Sequence, residues 1–203
     1  MVVVFAGPVS GDTVIKFYTG KDTTFGVGAW EKDFLRRINI EDDSSVQKLI
    51  EAEADADLEA SLNQMMWPVK SDLNHDIPSP RQRPEPKLKN GKPYYPRNPV
   101  YARNAIISAN YKCEFDPNHK TFSWRSTGEQ YMEAHHLVPM GNQKEVEMDL
   151  DRESNIVSLC CNCHKQIHNG KDPAEIIKKL YNQRKELLKE DNIDPGLEKL
   201  LKM

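Results

Sequence analysis

The spacing of apolar positions divides the chain into three stretches. Near the amino terminus, VVVFAG and TVIKFYTG read as two β-strands with a glycine-containing connection, a hairpin pattern. Asp42 to Met66 then reads as a helix. Val46, Leu49, Ile50, Leu58, Leu62, Met65 and Met66 fall near helical spacing, and Asp43 or Ser44 can cap it. Residues 78–99, PSPRQRPEPKLKNGKPYYPRNP, hold seven of the 13 prolines, so an extended linker is expected there. Beyond it, PVYARNAIISANYKC predicts a helix running into Cys113, TFSW and EQYMEAHHL predict strands, and NIVSL predicts another. The pattern turns helical from Cys163 through KQIH. A last helix begins at DPAE, with Asp172 as cap and Pro173 in the first turn, and runs through KKLYNQRKELLKE. The expected fold class is α+β, in two parts. Residues 1–77 form a small amino-terminal α+β domain of unknown type, and residues 100–203 a second domain beyond the linker.

Charge sharpens this division. The net charge of the 203-residue chain is −3, but residues 1–77 carry 7 Lys/Arg against 14 Asp/Glu, and residues 78–203 carry 21 against 17. An acidic half joined to a basic half points to nucleic acid on the basic side. Residues 81–112 hold eight Lys/Arg against one Glu, with Tyr94 and Tyr95 among them, a tract suited equally to a phosphate backbone or to a plain spacer. No stretch approaches the ~20 apolar residues of a membrane span, and the apolar start lacks a basic flank and a cleavage site. A cytoplasmic protein with no membrane partner is expected. All four cysteines, Cys113, Cys160, Cys161 and Cys163, lie in the second half, which favours metal or redox chemistry over a disulfide framework.

The segment NIVSLCCNCHKQIHNG carries the chemistry. Cys160 and Cys163 have the C-x2-C spacing of a zinc knuckle, in which a tight turn brings two thiolates to one tetrahedral ion. Cys113 is the third candidate ligand. The fourth is His119 or Asp116, and the preference of structural zinc for sulfur and nitrogen favours His119 and a Cys3His site. Cys161 is left as a small buried residue. His164 and His168 are four apart, so on a helix they share a face and can hold one ion. Cys163 and His164 are adjacent, about 100° apart around a helix, and are expected to serve different ions. A distant histidine, His135 or His136, can complete the second site. Adjacent residues on a strand face apart, so the other imidazole is free to take the proton from a water attacking phosphorus.

The order of these residues resembles the HNH, or ββα-metal, nuclease family. The run is His135-His136-Leu137-Val138-Pro139, then Asn155, then a helix with His164 and His168, and a cysteine staple as in the zinc-bearing branch. The gaps of nine and thirteen residues from Asn155 to His164 and His168 are similar to those of the colicin nucleases in that family. The resemblance covers roughly residues 100–170. It implies a carboxy-terminal ββα-metal fold and a metal-dependent endonuclease that hydrolyses phosphodiester bonds and leaves 5′-phosphate ends. It makes His136 the general base and His135, His164 and His168 the ligands of a catalytic Mg²⁺, Mn²⁺, Ni²⁺ or Zn²⁺. It has Asn155 tie a loop back to orient His136. A structural Zn²⁺ would sit on Cys113, His119, Cys160 and Cys163. The sequence departs from the family at Asp116, where many zinc-stapled members have a second cysteine.

DNA is the implied partner, with RNA as an alternative. Lys171, Lys178, Lys179, Arg184 and Lys185 are the expected phosphate contacts beside the basic tract. Restriction or antiviral defence is the setting the resemblance suggests. Residues 1–77 would serve specificity, sensing or dimerisation, or bind a protein partner. Two rival readings stand beside this one: a non-catalytic zinc-stabilised nucleic-acid-binding module, and a nuclease effector gated by its amino-terminal domain.

Overall fold

The computed structural model describes residues 2–9, 12–19, 43–89 and 92–203. The chain divides into two compact units, Met1–Val46 and Gln47–Met203. In the first, β1 (Val2–Val9) pairs antiparallel with β2 (Asp12–Thr19), Val2 opposite Thr19 and Val9 opposite Asp12.

The second unit begins within helix α1 (Asp43–Gln64). Leu58 and Leu62 on this helix are buried in one core with Ala102, Ile106, Leu137 and Leu159. Leaving that helix alone would expose its apolar face, so it belongs with the carboxy-terminal residues. The two compact units meet between Val46 and Gln47. The side chains of Val46 and Leu49 lie outside those described. Where α1 ends, Trp67 donates its indole N–H to the Leu62 carbonyl at 3.0 Å and packs against Trp124, ring centroids 5.2 Å apart. Trp124 in turn packs on Tyr131 at 4.7 Å.

The proline-rich tract is not a free spacer. It holds a short antiparallel pair, β3 (Lys87–Lys89) and β4 (Lys92–Tyr94). Its ends are fastened to the rest of the unit. Arg81 pairs with Asp149, and the Asn98 N–H donates to Asp151 at 2.6 Å. Arg97 pairs with Asp55 on α1 at 3.1 Å. Where the tract begins, the buried Arg152 guanidinium bonds to Asp76 and to the carbonyls of Ile77 and Ser79, and pairs with Asp191. A buried guanidinium has to find such a set, because each unpaired N–H would carry its full desolvation cost.

Helix α2 (Pro99–Ser108) opens with Asn98 as cap, its side chain accepting from the Val100 N–H, and Pro99 at the first turn. The predicted TFSW strand reduces to a single bridge, Ser123 with Gln130, closed by a turn with Gly128 at φ +77°. Strands β5 (Glu133–His136) and β6 (Ile156–Leu159) pair antiparallel, with His135 opposite Val157 and His136 opposite Ile156. Helix α3 (Cys161–Asn169) follows β6 directly, giving the ββα order. Helix α4 (Ala174–Glu190) buries Ile176, Leu180 and Leu188 against the core, and α5 (Leu197–Leu200) ends the chain. The fold is thus mixed α+β with a carboxy-terminal ββα-metal core. Among the described residues no helix is long and apolar enough to cross a membrane.

Candidate active site

Two clusters of potential metal ligands form around β5, β6 and α3. In the first, Cys113, His119, Cys160 and Cys163 bring their ligand atoms within 4.8 Å of one another. The His119 Nδ1 lies 3.4 Å from Cys160 Sγ and 3.3 Å from Cys163 Sγ. Ligands at about 2.3 Å for sulfur and 2.0 Å for nitrogen on a tetrahedral zinc would be about 3.5 Å apart, so the set fits that ion. Cys160 sits at the cap of α3 and accepts from the Cys163 N–H at 3.4 Å, so the turn that starts the helix also aims both sulfurs. Asp116 is outside this group. Its carboxylate lies 3.6 Å from His119 Nε2, the ring nitrogen facing away from the sulfurs, where it can orient the imidazole. Burial pushes the Cys160 and Cys163 thiols up. At Cys113 burial acts the same way, but hydrogen bonds from the Asp116 and Cys160 backbone outweigh it and the thiol is lowered.

Glu114 links this cluster to the sheet. Its N–H donates to the Ser158 carbonyl and its carboxylate accepts from the Ser158 N–H, extending the pairing beside β6. Arg184 on α4 holds the same carboxylate through two contacts of 2.8 Å. Of the predicted phosphate contacts, Arg184 is thus engaged within the protein, and Lys179 lies over the Phe115 ring at 5.2 Å. Lys171 and Lys178 are exposed, and Lys185 is half-buried.

The second cluster is His135, His164 and His168. Their ring centroids are 4.8 to 5.0 Å apart, and the Nε2 atoms of His164 and His168 stand 3.1 Å from each other. The Nδ1 of His164 is 2.6 Å from Glu133 Oε2. A carboxylate only accepts, so that nitrogen carries the proton and the His164 Nε2 presents a lone pair to His168. Two ring nitrogens on one tetrahedral ion would be about 3.3 Å apart, so the arrangement fits a divalent metal held by imidazoles. Burial, helped by the neighbouring imidazoles, holds His135 well below its ordinary value. Burial beside His164 also lowers His168. Both rings are therefore kept neutral, the form that binds metal. The hydrogen bond to His164 lowers Glu133 against the opposing effect of burial. Glu133 also accepts from the Tyr131 hydroxyl at 3.0 Å, and that hydroxyl is 2.7 Å from Glu59 on α1.

His136, the next residue of β5, is also buried, with its Nε2 2.8 Å from Asp151 Oδ1 rather than among the three clustered imidazoles. Asn155 stands between the two histidines of β5 and the loop that follows. Its Oδ1 accepts from the Val138 N–H, its Nδ2 donates to the carbonyls of Val138 and Leu150, and its own carbonyl accepts from the Leu137 N–H. Every polar group of that buried side chain is used, and together they fix the end of β5.

Sequence reasoning passed over two residues here. Glu133 had a readable signal, because it lies two before His135 on a strand and so shares its face. Asp151 had none, since nothing in the local spacing places it against His136.

Residues 119–170 match the family model for HNH endonuclease. The chain is also 30% identical over 87 residues to the type IV methyl-directed restriction enzyme EcoKMcrA of Escherichia coli K12. That alignment covers 43% of this chain and 29% of the relative. Among solved structures, the type IV phosphorothioation-dependent restriction endonuclease ScoMcrA overlaps 75% of this chain and 26% of its own. Its TM-score is 0.38 and its identity 19%. The chain thus spans less than a third of the length of either protein. The matched segment contains His119, both histidines of β5, Asn155, the Cys160–Cys163 knuckle and both histidines of α3, and it is an HNH endonuclease domain.

Proposed function

We propose that this protein is a metal-dependent endonuclease that hydrolyses phosphodiester bonds in DNA, in the setting of restriction. The observation that carries the reading is the convergence of the His135, His164 and His168 rings beside a buried His136 at the next position of the same strand. His135, His164 and His168 would hold a divalent ion, Mg²⁺, Mn²⁺, Ni²⁺ or Zn²⁺, and Cys113, His119, Cys160 and Cys163 a structural zinc. When bound, the divalent ion supplies Lewis acidity at the phosphoryl group and the leaving 3′-oxygen. His136 takes a proton from water as the new O–P bond forms, and the 3′-oxygen departs with the electrons of the breaking bond. Glu133 fixes the His164 ring, and Asn155 fixes the strand end that carries His136. Exposed Lys171 and Lys178, with the half-buried Lys185, would meet the phosphate backbone. The relationship to a methyl-directed enzyme supports modified DNA as the substrate to try first. Residues 1–77 would contribute specificity, sensing or dimerisation.

The test is plasmid nicking by purified protein with Mg²⁺, Mn²⁺, Ni²⁺ or EDTA, on methylated and unmethylated DNA. Cleavage should require a divalent ion. His136→Ala should lower it by about 100-fold or more while zinc content and melting temperature stay unchanged. Full activity in that variant would remove His136 from its role. Binding without cleavage under every metal would replace the enzyme with a zinc-stabilised binding module.

A further inference from the structure

We infer that Asp151, held by the two ends of the proline-rich tract, is the positioning residue that sets the tautomer of His136. The inference rests on His136 being the base. Asp151 and His136 are both buried, at 7% exposure each. The carboxylate Oδ1 lies 2.8 Å from His136 Nε2. An ionised carboxylate has no proton to give, so the Nε2 of the neutral ring carries the hydrogen and its lone pair lies on Nδ1. The nitrogen that accepts the proton of water is thereby fixed as Nδ1, and the ring is held at one rotation. As His136 becomes cationic, the same carboxylate faces the new charge.

Besides His136, Asp151 is itself fastened at three points. Its Oδ2 accepts from the Asn98 N–H at 2.6 Å, and its own N–H donates to Asp149 Oδ1 at 3.0 Å. Its carbonyl accepts from Arg81 Nη2 at 3.2 Å, and Arg81 also grips Asp149 at 2.8 to 2.9 Å. Arg81 Nη1 is 3.2 Å from the Tyr101 hydroxyl. Arg81 and Asn98 lie near the opposite ends of the proline-rich tract, so the acceptor for His136 is held from both. The tract would thereby serve the reaction by holding the partner of the base. A carboxylate placed only for stability would leave kcat unchanged in a variant that keeps its fold.

The test uses full-length, zinc-loaded protein. Asp151→Asn keeps the volume but presents an amide that cannot accept from both His136 and the Asn98 N–H. Its kcat should fall by about 100-fold or more, with KM and DNA affinity within about threefold of wild type. In the wild-type protein, nitrogen-15 NMR should place the His136 proton on Nε2, with the resonance assigned by its loss in His136→Gln. That second measurement stands whether or not the Asn variant folds. Wild-type kcat in Asp151→Asn, or a proton on Nδ1 in the wild type, overturns the inference. The distinction from the parent reading is clean. If His136→Ala is active, the base is wrong; if it is inactive and Asp151→Asn is fully active, only the positioning role is wrong.

Discussion

Glu133 shows how much a single side chain contributes to a metal site it does not itself join. Its Oε2 holds the proton on His164 Nδ1, which leaves Nε2 aimed at the other imidazoles. Glu133→Gln should leave the fold intact and weaken divalent-ion binding by about 10–100-fold, as measured by calorimetric titration into zinc-loaded protein. Unchanged affinity would show that the ring is held by packing alone. The sequence shows the histidines because each residue type announces its chemistry and their order is distinctive. Glu133 could be read from strand alternation, but Asp151 could not. Its partner is 15 residues away, through a loop whose path depends on Gln143 accepting from the Leu150 N–H and on Asn155 closing the turn.

At the level of elements, α3 contributes to both clusters within nine residues, Cys163 to one and His164 and His168 to the other. The knuckle forms its first turn, and His164 and His168 follow on a shared face. A nine-residue helix is too short to persist by itself in water, so its ends must be held. The cysteine cluster is what holds the first turn. Cys160→Ser should therefore lose zinc, the near-ultraviolet circular dichroism of the carboxy-terminal unit and nuclease activity together, whereas His136→Ala loses only the last. Retained zinc and fold in the serine variant would demote the staple. Local pattern reveals these elements well where caps and spacing are explicit, as at Asn98-Pro99 for α2. It fails at TFSW, where apolar residues alternate with polar ones but Trp124 and Phe122 pack against Tyr131, and a turn replaces the ladder.

Across the whole molecule, sequence composition places the divide at the change of charge, and packing places it earlier. The acidic face of α1 reads as belonging to an acidic domain, yet Leu58 and Leu62 on the same helix complete the core of the second unit. Charge reports the solvent side of a helix, and only contacts report its owner. The proline-rich tract misleads for a related reason, because prolines predict an extended path but not whether that path is anchored. A fragment of residues 100–203 lacks Leu58, Leu62, Arg81 and Asn98. Its melting temperature should fall roughly 10 °C or more below that of a 47–203 fragment, as followed by calorimetry. Equal melting temperatures would return α1 and the tract to the status of attachments.

The adjacency of Cys163 and His164 in α3 ties the formation of one cluster to that of the other. Those two residues belong to different clusters, so the backbone that delivers one ligand set also delivers the other. The imidazole triad exists as a triad only when the first turn of α3 is folded, and that turn is closed by the sulfur cluster. On the proposed roles the two metals would be ordered in time: zinc capture would come first as part of folding, and the divalent ion would meet a finished site. On the same roles, a chain made without zinc would be unable to cut DNA.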